Sequence, residues 1–529
     1  MIELLRRCLC GSNRCVRVEW VLGLLALLGL FAVLFVTAWG CGLSPDSVVY
    51  LDTATNLLRG NGWSFGATDG VLRPMTQYPP LFPSVVALIS LTGVDVPDAA
   101  RWFNAILFVG TIFLTGLAVS RYTQGSFWPA VLVSFFVLTC VPLIRIFSSA
   151  LSEAAFIFFG LSGMFLLSIY LKERSPGWLV TAALGVALSC LSRYVGVTFI
   201  AAGILGLLFL NRKPLAARVA DIAVWGIVSS APVAIWATRN LSLSGHVSRY
   251  ATHINVATTS KIRQHLGLAI RDAFASSLPD KVPVEIRLVA FLGVVGLLIA
   301  LSVALLRRRK DKPGATLRPA YLGPLPYVLI FFSAAYCGFI SASIVLFQQG
   351  ALNERFMTIL YAIAFILLAC WFYRLSNLLR AARTLKLVLL ITICGLAFVQ
   401  TGYSTIWVLR RHSEGLGYAA RTWHESAIVL TLKDLPAETL VVTNEAIPLY
   451  YLTGHPTYQL LVGEDLIAMS DEALTARLKF LTERLRGDAA VLACFESTTC
   501  LELAGALGEV LPLRVIGQEN ESAIYAAAP

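Results

Sequence analysis

Charged residues are scarce in this chain, 14% of 529 residues against 57% hydrophobic. A soluble domain carries about 25% charged residues. This deficit, with a mean hydropathy of +0.74, excludes an ordinary cytosolic enzyme, a disordered chain and a nucleic-acid-binding module. Internal repeats and low-complexity segments are also absent. Common transporter folds often carry a repeat, so its absence disfavours them. Metal-ligand spacing is missing too. The run CLCGSNRC, with Cys8, Cys10 and Cys15, makes no convincing zinc pattern, and His246, His253 and His265 share a loop as solvated residues.

The chain is rich in long apolar runs separated by short basic clusters. A membrane span needs about 17–25 apolar residues, and Lys and Arg gather on the cytoplasmic side. The net charge of +11 is therefore mainly topological. The first run, Val18 to Cys41, is longer than the core of a cleavable signal and reads as a retained span with a cytoplasmic N-terminus. Later spans follow at Phe103–Ser120, Phe127–Ile144, Ala154–Leu171, Ile222–Trp236, Leu288–Leu306, Tyr327–Phe347, Phe356–Phe372 and Leu387–Ile406. Gly177 to Leu210 holds one charge, Arg193. One helix of that length would be about 50 Å long, too long for a core of about 30 Å. Two short spans turning at an outer Arg193 fit better. The expectation is a polytopic α-helical membrane protein of about eleven transmembrane helices over residues 1–405, with outer loops at 41–101 and 239–285. Residues 406–529 change character. Strands are expected at Thr439–Thr443, Ala489–Cys494, Leu513–Ile516 and Ser522–Ala526, and a helix at Asp471–Arg486, giving a small extracytoplasmic α/β domain. There Cys494 and Cys500 lie close enough in sequence for a disulfide, with pairing left open. Asn240 and Asn520 begin glycosylation sequons.

The first outer loop carries the most unusual pattern. Ser44-Pro45-Asp46 is a helix start and Gly60 a stop. Val48, Leu51, Thr55 and Leu58 fall on one face of the helix, and Asp46, Tyr50 and Thr53 on another. This predicts a helix lying along the membrane surface. Asp46 has two readings, a helix cap that complements the dipole and a carboxylate presented to a substrate.

DSVVYLDTATNLLRGNGWS followed by YPPLFPSVVALISLTG resembles the first outer loop of GT-C-class polytopic glycosyltransferases. It is most similar to the family of dolichyl-phosphate-mannose protein mannosyltransferases and lipid A aminoarabinose transferases. ARWFNAILF, LSEAAFIFF, LSRYVG, LNERFMTILYAIAFIL and TNEAIPLYYLTGHPTY resemble further family segments in the same order. The resemblance implies a GT-C-like fold and transfer of a sugar from a polyprenyl-phosphate donor to an extracytoplasmic lipid, glycan or protein acceptor. It also implies a multi-pass protein of a bacterial inner or plasma membrane.

In that chemistry a carboxylate after the first span is the general base, the position of Asp46. The acceptor hydroxyl must lose a proton as it attacks, and a desolvated carboxylate is a better base than one in water. Attack opposite the leaving phosphate inverts the anomeric centre. The leaving phosphate needs fixed positive charge. By resemblance Arg193 and Arg355 are the phosphate contacts, facing Asp46 across an outward-open chamber; snorkelling at a helix end is the alternative for both. Arg73 and Arg239 are further phosphate candidates. Tyr50, Asp52, Tyr78 and Glu153 are candidates for substrate contact, with structural alternatives for each; Glu153 could instead complement a helix N-terminus. Metal-dependent relatives use paired acidic motifs, and no Asp-x-Asp occurs here, so neither a metal nor another cofactor is indicated. The competing reading is a polytopic lipid or solute transporter. It would place ionisable residues within several spans, whereas the notable charges here lie at span ends.

Overall fold

The computed structural model describes residues 13–66, 71–248, 286, 323–347, 354–378, 383–460, 479–486 and 490–528. The expected span at Leu288–Leu306, most of the loop 239–285, and His253 and His265 lie outside the described residues. The chain divides into two compact units. One comprises Met1–Val36, Thr76–Val85 and Arg101–Arg410; the other comprises Thr37–Met75, Val86–Ala100 and Arg411–Pro529.

The first unit is helical. Its described elements include α1 (Asn13–Val36), the first half of α3 (Leu81–Ser90), most of α4 (Val96–Tyr122), α5 (Phe127–Leu138), α6 (Val141–Phe147), α7 (Glu153–Glu173), α8 (Pro176–Ser192), α9 (Val197–Leu210), α10 (Leu215–Ser244), α11 (Leu325–Phe347), α12 (Glu354–Leu378) and most of α13 (Arg383–Glu414). Among the described residues seven helices are long and apolar enough to cross a membrane, or eight with the bent pair α5 and α6. The sequence suggested one straight span over Phe127–Ile144, but the chain bends by 62° between α5 and α6. Pro142 lies in the first turn of α6. Its ring would clash with the carbonyl of Leu138, and it has no N–H to continue the ladder. The helix expected at Ile222–Trp236 extends over Leu215–Ser244 and includes Pro232.

Gly177–Leu210 folds as two short helices, and the break falls at Arg193, whose extended backbone ends α8 before a single 3-10 turn at Tyr194–Gly196. Helices α7 and α8 are antiparallel neighbours that meet through small residues. A Cβ on Gly185 would stand 3.3 Å from Gly163 Cα, and one on Gly163 would stand 3.0 Å from the Ala182 carbonyl oxygen. Bare glycine surfaces let two helical backbones approach in this way. Beneath them the Phe199 and Phe332 rings stack at 3.9 Å, and Phe332 and Tyr336 at 5.4 Å, joining α9 to α11.

The second unit contains α2 (Pro45–Leu58), the hairpin β1 (Ser64–Gly66) and β2 (Leu72–Pro74), and the C-terminal elements from α14 (Arg421–His424) onward. The latter are α15 (Ala427–Lys433), β3 (Leu440–Thr443), α16 (Ala446–Thr453), β4 (Thr457–Gln459), β5 (Ala490–Cys494), α17 (Thr498–Val510), β6 (Leu513–Glu519) and β7 (Ser522–Ala527). Five strands form one sheet in the order β4-β3-β5-β7-β6, parallel across β4, β3 and β5 and antiparallel beyond. Val442 and Leu492 pack on the α17 side with Leu503 and Leu507, while Val441, Val491 and Ile524 pack with Ile428 and Leu432 of α15. Burial on both faces explains why these strands read as continuous apolar runs. Cys494 and Cys500 form a disulfide. Of the helix expected over Asp471–Arg486, residues 479–485 are described and helical.

Helix α2 starts where the sequence suggests, with Ser44 as N-cap accepting from the Ser47 N–H. The expected two-faced surface helix is not what forms. Tyr50 and Thr53, assigned to the polar face, are 1% and 0% exposed, as buried as Val48 and Leu51. The small side chains of Ser47, Thr53 and Ala54 allow close packing around most of the helix.

Candidate active site

Three residues marked in the sequence meet in the helical unit. Glu153 opens α7, Arg193 ends α8, and Arg355 lies in the first turn of α12. Arg193 Nη1 is 2.7 Å from Glu153 Oε1. Arg355 donates to the same oxygen through Nε at 2.9 Å and Nη2 at 2.6 Å. The Glu153 side chain is 4% exposed, while Arg193 and Arg355 are 21% and 27% exposed. Among the described residues, Glu153 Oε2 has no hydrogen-bond partner.

The local fold delivers each group. In an antiparallel hairpin the start of α7 lies beside the end of α8, and Ser189 Oγ fixes those ends by donating to the Phe156 carbonyl at 3.0 Å. Asn104 Nδ2 donates to the Ser149 and Leu151 carbonyls at 2.6 and 3.2 Å, holding the turn that leads into Glu153. Tyr336 Oη donates to the Phe356 carbonyl at 2.7 Å and so fixes the first turn of α12. The Arg193 guanidinium lies 5.9 Å from the Phe356 ring centre. The three charged groups, with Phe156, Ile157, Tyr336, Phe356 and Ile359, line a small open recess. Among the described residues, two guanidiniums share one carboxylate here beside apolar and aromatic walls, so the recess offers charged donors to an anion.

A second network lies in the same unit. Asn240, expected as a sequon, is fully buried. Its amide donates to the Thr76 and Val247 carbonyls at 3.2 and 3.1 Å and to Tyr194 Oη at 3.0 Å. Trp236 Nε1 donates to the Tyr78 carbonyl and to Tyr194 Oη, both at 3.2 Å. Tyr78 therefore enters this network through its backbone. Arg239 stacks 4.3 Å from the Trp236 ring centre and donates to Asn240 Oδ1 at 3.0 Å.

In the other unit, Asp46 occupies the first turn of α2, half-buried. The chain before it is anchored to the C-terminal segment. Leu43 pairs with Gly417, and the Tyr418 N–H donates to the Leu43 carbonyl at 3.1 Å. Burial, then the charges of Glu445 and Asp46, hold the Tyr418 hydroxyl above its ordinary range. Asp46, Tyr418 and Glu445 are thus electrostatic neighbours. Asp52 Oδ2 accepts from the Gly66 N–H at 2.5 Å, holding the β1–β2 hairpin. Burial raises the Asp52 carboxyl, offset in part by that bond and by Arg59. Arg73 is exposed on β2. Tyr336, Asn104, Tyr194 and Trp236 were not singled out by the sequence. Asn104 alone carried a signal, as a lone amide in an apolar span. No group of three or more metal-ligand side chains occurs among the described residues.

Residues 54–246 match the family model for dolichyl-phosphate-mannose-protein mannosyltransferases. The fold is similar to that of ArnT from Cupriavidus metallidurans in the apo state, with TM-score 0.62, 12% identity, and coverage of 96% of this chain and 98% of that one. The same protein bound to undecaprenyl phosphate matches with TM-score 0.59 and 13% identity over 95% of this chain and 97% of that one. The archaeal oligosaccharyltransferase AglB from Archaeoglobus fulgidus, in complex with an inhibitory peptide and a dolichol-phosphate, matches with TM-score 0.54 and 12% identity over 96% of this chain and 74% of that one. No curated protein sequence matches significantly.

Proposed function

We propose that this chain is a polytopic membrane glycosyltransferase of the GT-C class, similar to the protein mannosyltransferases through residues 54–246, and that it transfers a sugar from a polyprenyl-phosphate donor to an extracytoplasmic acceptor, with inversion. Arg193 and Arg355 bind the donor phosphate. Asp46 is the general base. The acceptor oxygen bonds to the anomeric carbon as the C–O bond to phosphate breaks. The bonding pair stays on the phosphate oxygen, and the acceptor proton passes to Asp46. Tyr50, Asp52, Arg73, Tyr78 and Arg239 are further candidates for substrate contact. In this reading the N-terminus is cytoplasmic, and residues 406–529 form an extracytoplasmic domain that contributes to acceptor choice.

The observation that carries the reading is the meeting of Arg193 and Arg355 on one buried carboxylate. Two guanidiniums held side by side by one buried carboxylate present charge-assisted donors of the kind that bind phosphate. Undecaprenyl phosphate bound to the similar ArnT structure indicates the ligand class.

The test uses full-length protein in nanodiscs, offered a panel of radiolabelled undecaprenyl-phosphate sugars with envelope extract. Release of undecaprenyl phosphate should fall about 10²–10⁴-fold in Asp46→Asn, with binding of undecaprenyl phosphate retained. Arg193→Ala and Arg355→Ala should each lose that binding. Undiminished release in Asp46→Asn, or unchanged binding in both arginine variants, would overturn the assignments.

A further inference from the structure

Glu153 sits among the groups that would hold the phosphate, yet it carries the wrong charge to hold an anion itself. Its geometry is also unusual for a pair that exists for stability. A carboxylate and a guanidinium pair best through two parallel hydrogen bonds using both oxygens. Here both arginines crowd onto Oε1, and Oε2 has no partner among the described residues. The arrangement favours the placement of the guanidiniums over the strength of each pair.

We infer that Glu153 is a charge-balancing positioning residue of the phosphate site: its single shared oxygen holds Arg193 and Arg355 together and offsets one of their two positive charges. This inference rests on the phosphate-binding reading above. A donor phosphodiester carries one negative charge. When the anomeric C–O bond breaks, the electron pair stays on phosphate, and the product monoester carries about −1.5 to −2 near pH 7. Without the Glu153 carboxylate the two guanidiniums would grip that product more tightly. The buried carboxylate weakens the grip and lets the polyprenyl phosphate leave, while the two donor groups stay in place for the next donor.

The experiment measures the Kd of undecaprenyl phosphate and the turnover of the full chain in nanodiscs. Glu153→Gln keeps the shape and removes the charge. It should bind undecaprenyl phosphate about tenfold tighter, since an unscreened like charge within a few ångströms has gone. Its kcat should fall with KM for the donor unchanged or lower, and product inhibition should deepen. Arg193→Gln alone removes one positive charge and should lose binding. The double variant with Glu153→Gln and Arg193→Gln removes one charge of each sign, restores the wild-type net charge, and should recover binding to within several-fold of wild type. That rescue is readable even if the single Glu153 variant fails to fold. Unchanged or weaker product binding in Glu153→Gln, or no recovery in a folded double variant, overturns the role of Glu153. Retained binding in Arg193→Gln instead overturns the phosphate site itself, so the two failures are distinguishable.

Discussion

Glu153 and Arg193 occupy opposite ends of a two-helix hairpin in sequence, yet their side chains meet at 2.7 Å because the helices run antiparallel. A lysine at 193 has the charge but not the planar fork, so it cannot bond Glu153 while also presenting a second N–H edge. Arg193→Lys should weaken undecaprenyl phosphate binding about tenfold without lowering expression. Microscale thermophoresis in nanodiscs would measure this, and full affinity would show that charge alone suffices.

The bridge between Leu43 and Gly417 is a sterically demanding point. Gly417 has φ of +57°, and a Cβ there would collide with the Leu43 carbonyl oxygen. Gly417→Ala should cost about 1–3 kcal/mol and displace the start of α2, lowering transfer as well as the melting temperature. Gly505→Ala serves as control, because a Cβ there meets nothing within 4 Å.

Asp52 gives a pH signature. Burial raises its carboxyl, so the folded chain holds that proton more readily than the unfolded chain. The stabilisation this provides is complete below the unfolded value and is lost as pH rises through the folded one. Asp52→Asn still offers an oxygen to the Gly66 N–H and should melt no lower than wild type at pH 7, with a smaller difference between pH 4 and pH 7. Asp52→Ala loses that bond and should melt lower at both. A scanning melt across pH separates these outcomes.

The two sequons differ in access. Asn240 is buried and commits its amide to three partners, whereas Asn520 is exposed at the turn between β6 and β7. Expression in a glycosylating host should add one glycan, removed by Asn520→Gln and unaffected at Asn240. Asn240→Leu should destabilise by roughly 2–4 kcal/mol, since buried carbonyls would lose their donors. Gel shift and mass of the 240-containing peptide decide the first point.

Local chemistry was legible in the sequence. Ser44 and Pro45 announced the start of α2, and excess apolar length with one charge announced the break at Arg193. Four of the five strands of the C-terminal sheet followed from short apolar runs between turns; β4, only three residues long, was not expected. What depends on distant partners was hidden. Nothing near Glu153 says that Arg193 and Arg355 share its oxygen, because the partners arrive through helix packing. The burial of Tyr50 and Asn240 likewise depends on neighbours far along the chain. The bend before α6 had a local cause in Pro142, masked by the apolar run around it.

The pairing of Leu43 with Gly417 also sets an order of assembly. About seven-tenths of the polypeptide lies between these two strands of backbone, and a ribosome delivers the first long before the second. The segment that carries Asp46 must therefore wait, incompletely braced, until synthesis has entered the last quarter of the protein. A nascent chain arrested before residue 417 would expose α2 to protease, and release past that point would protect it.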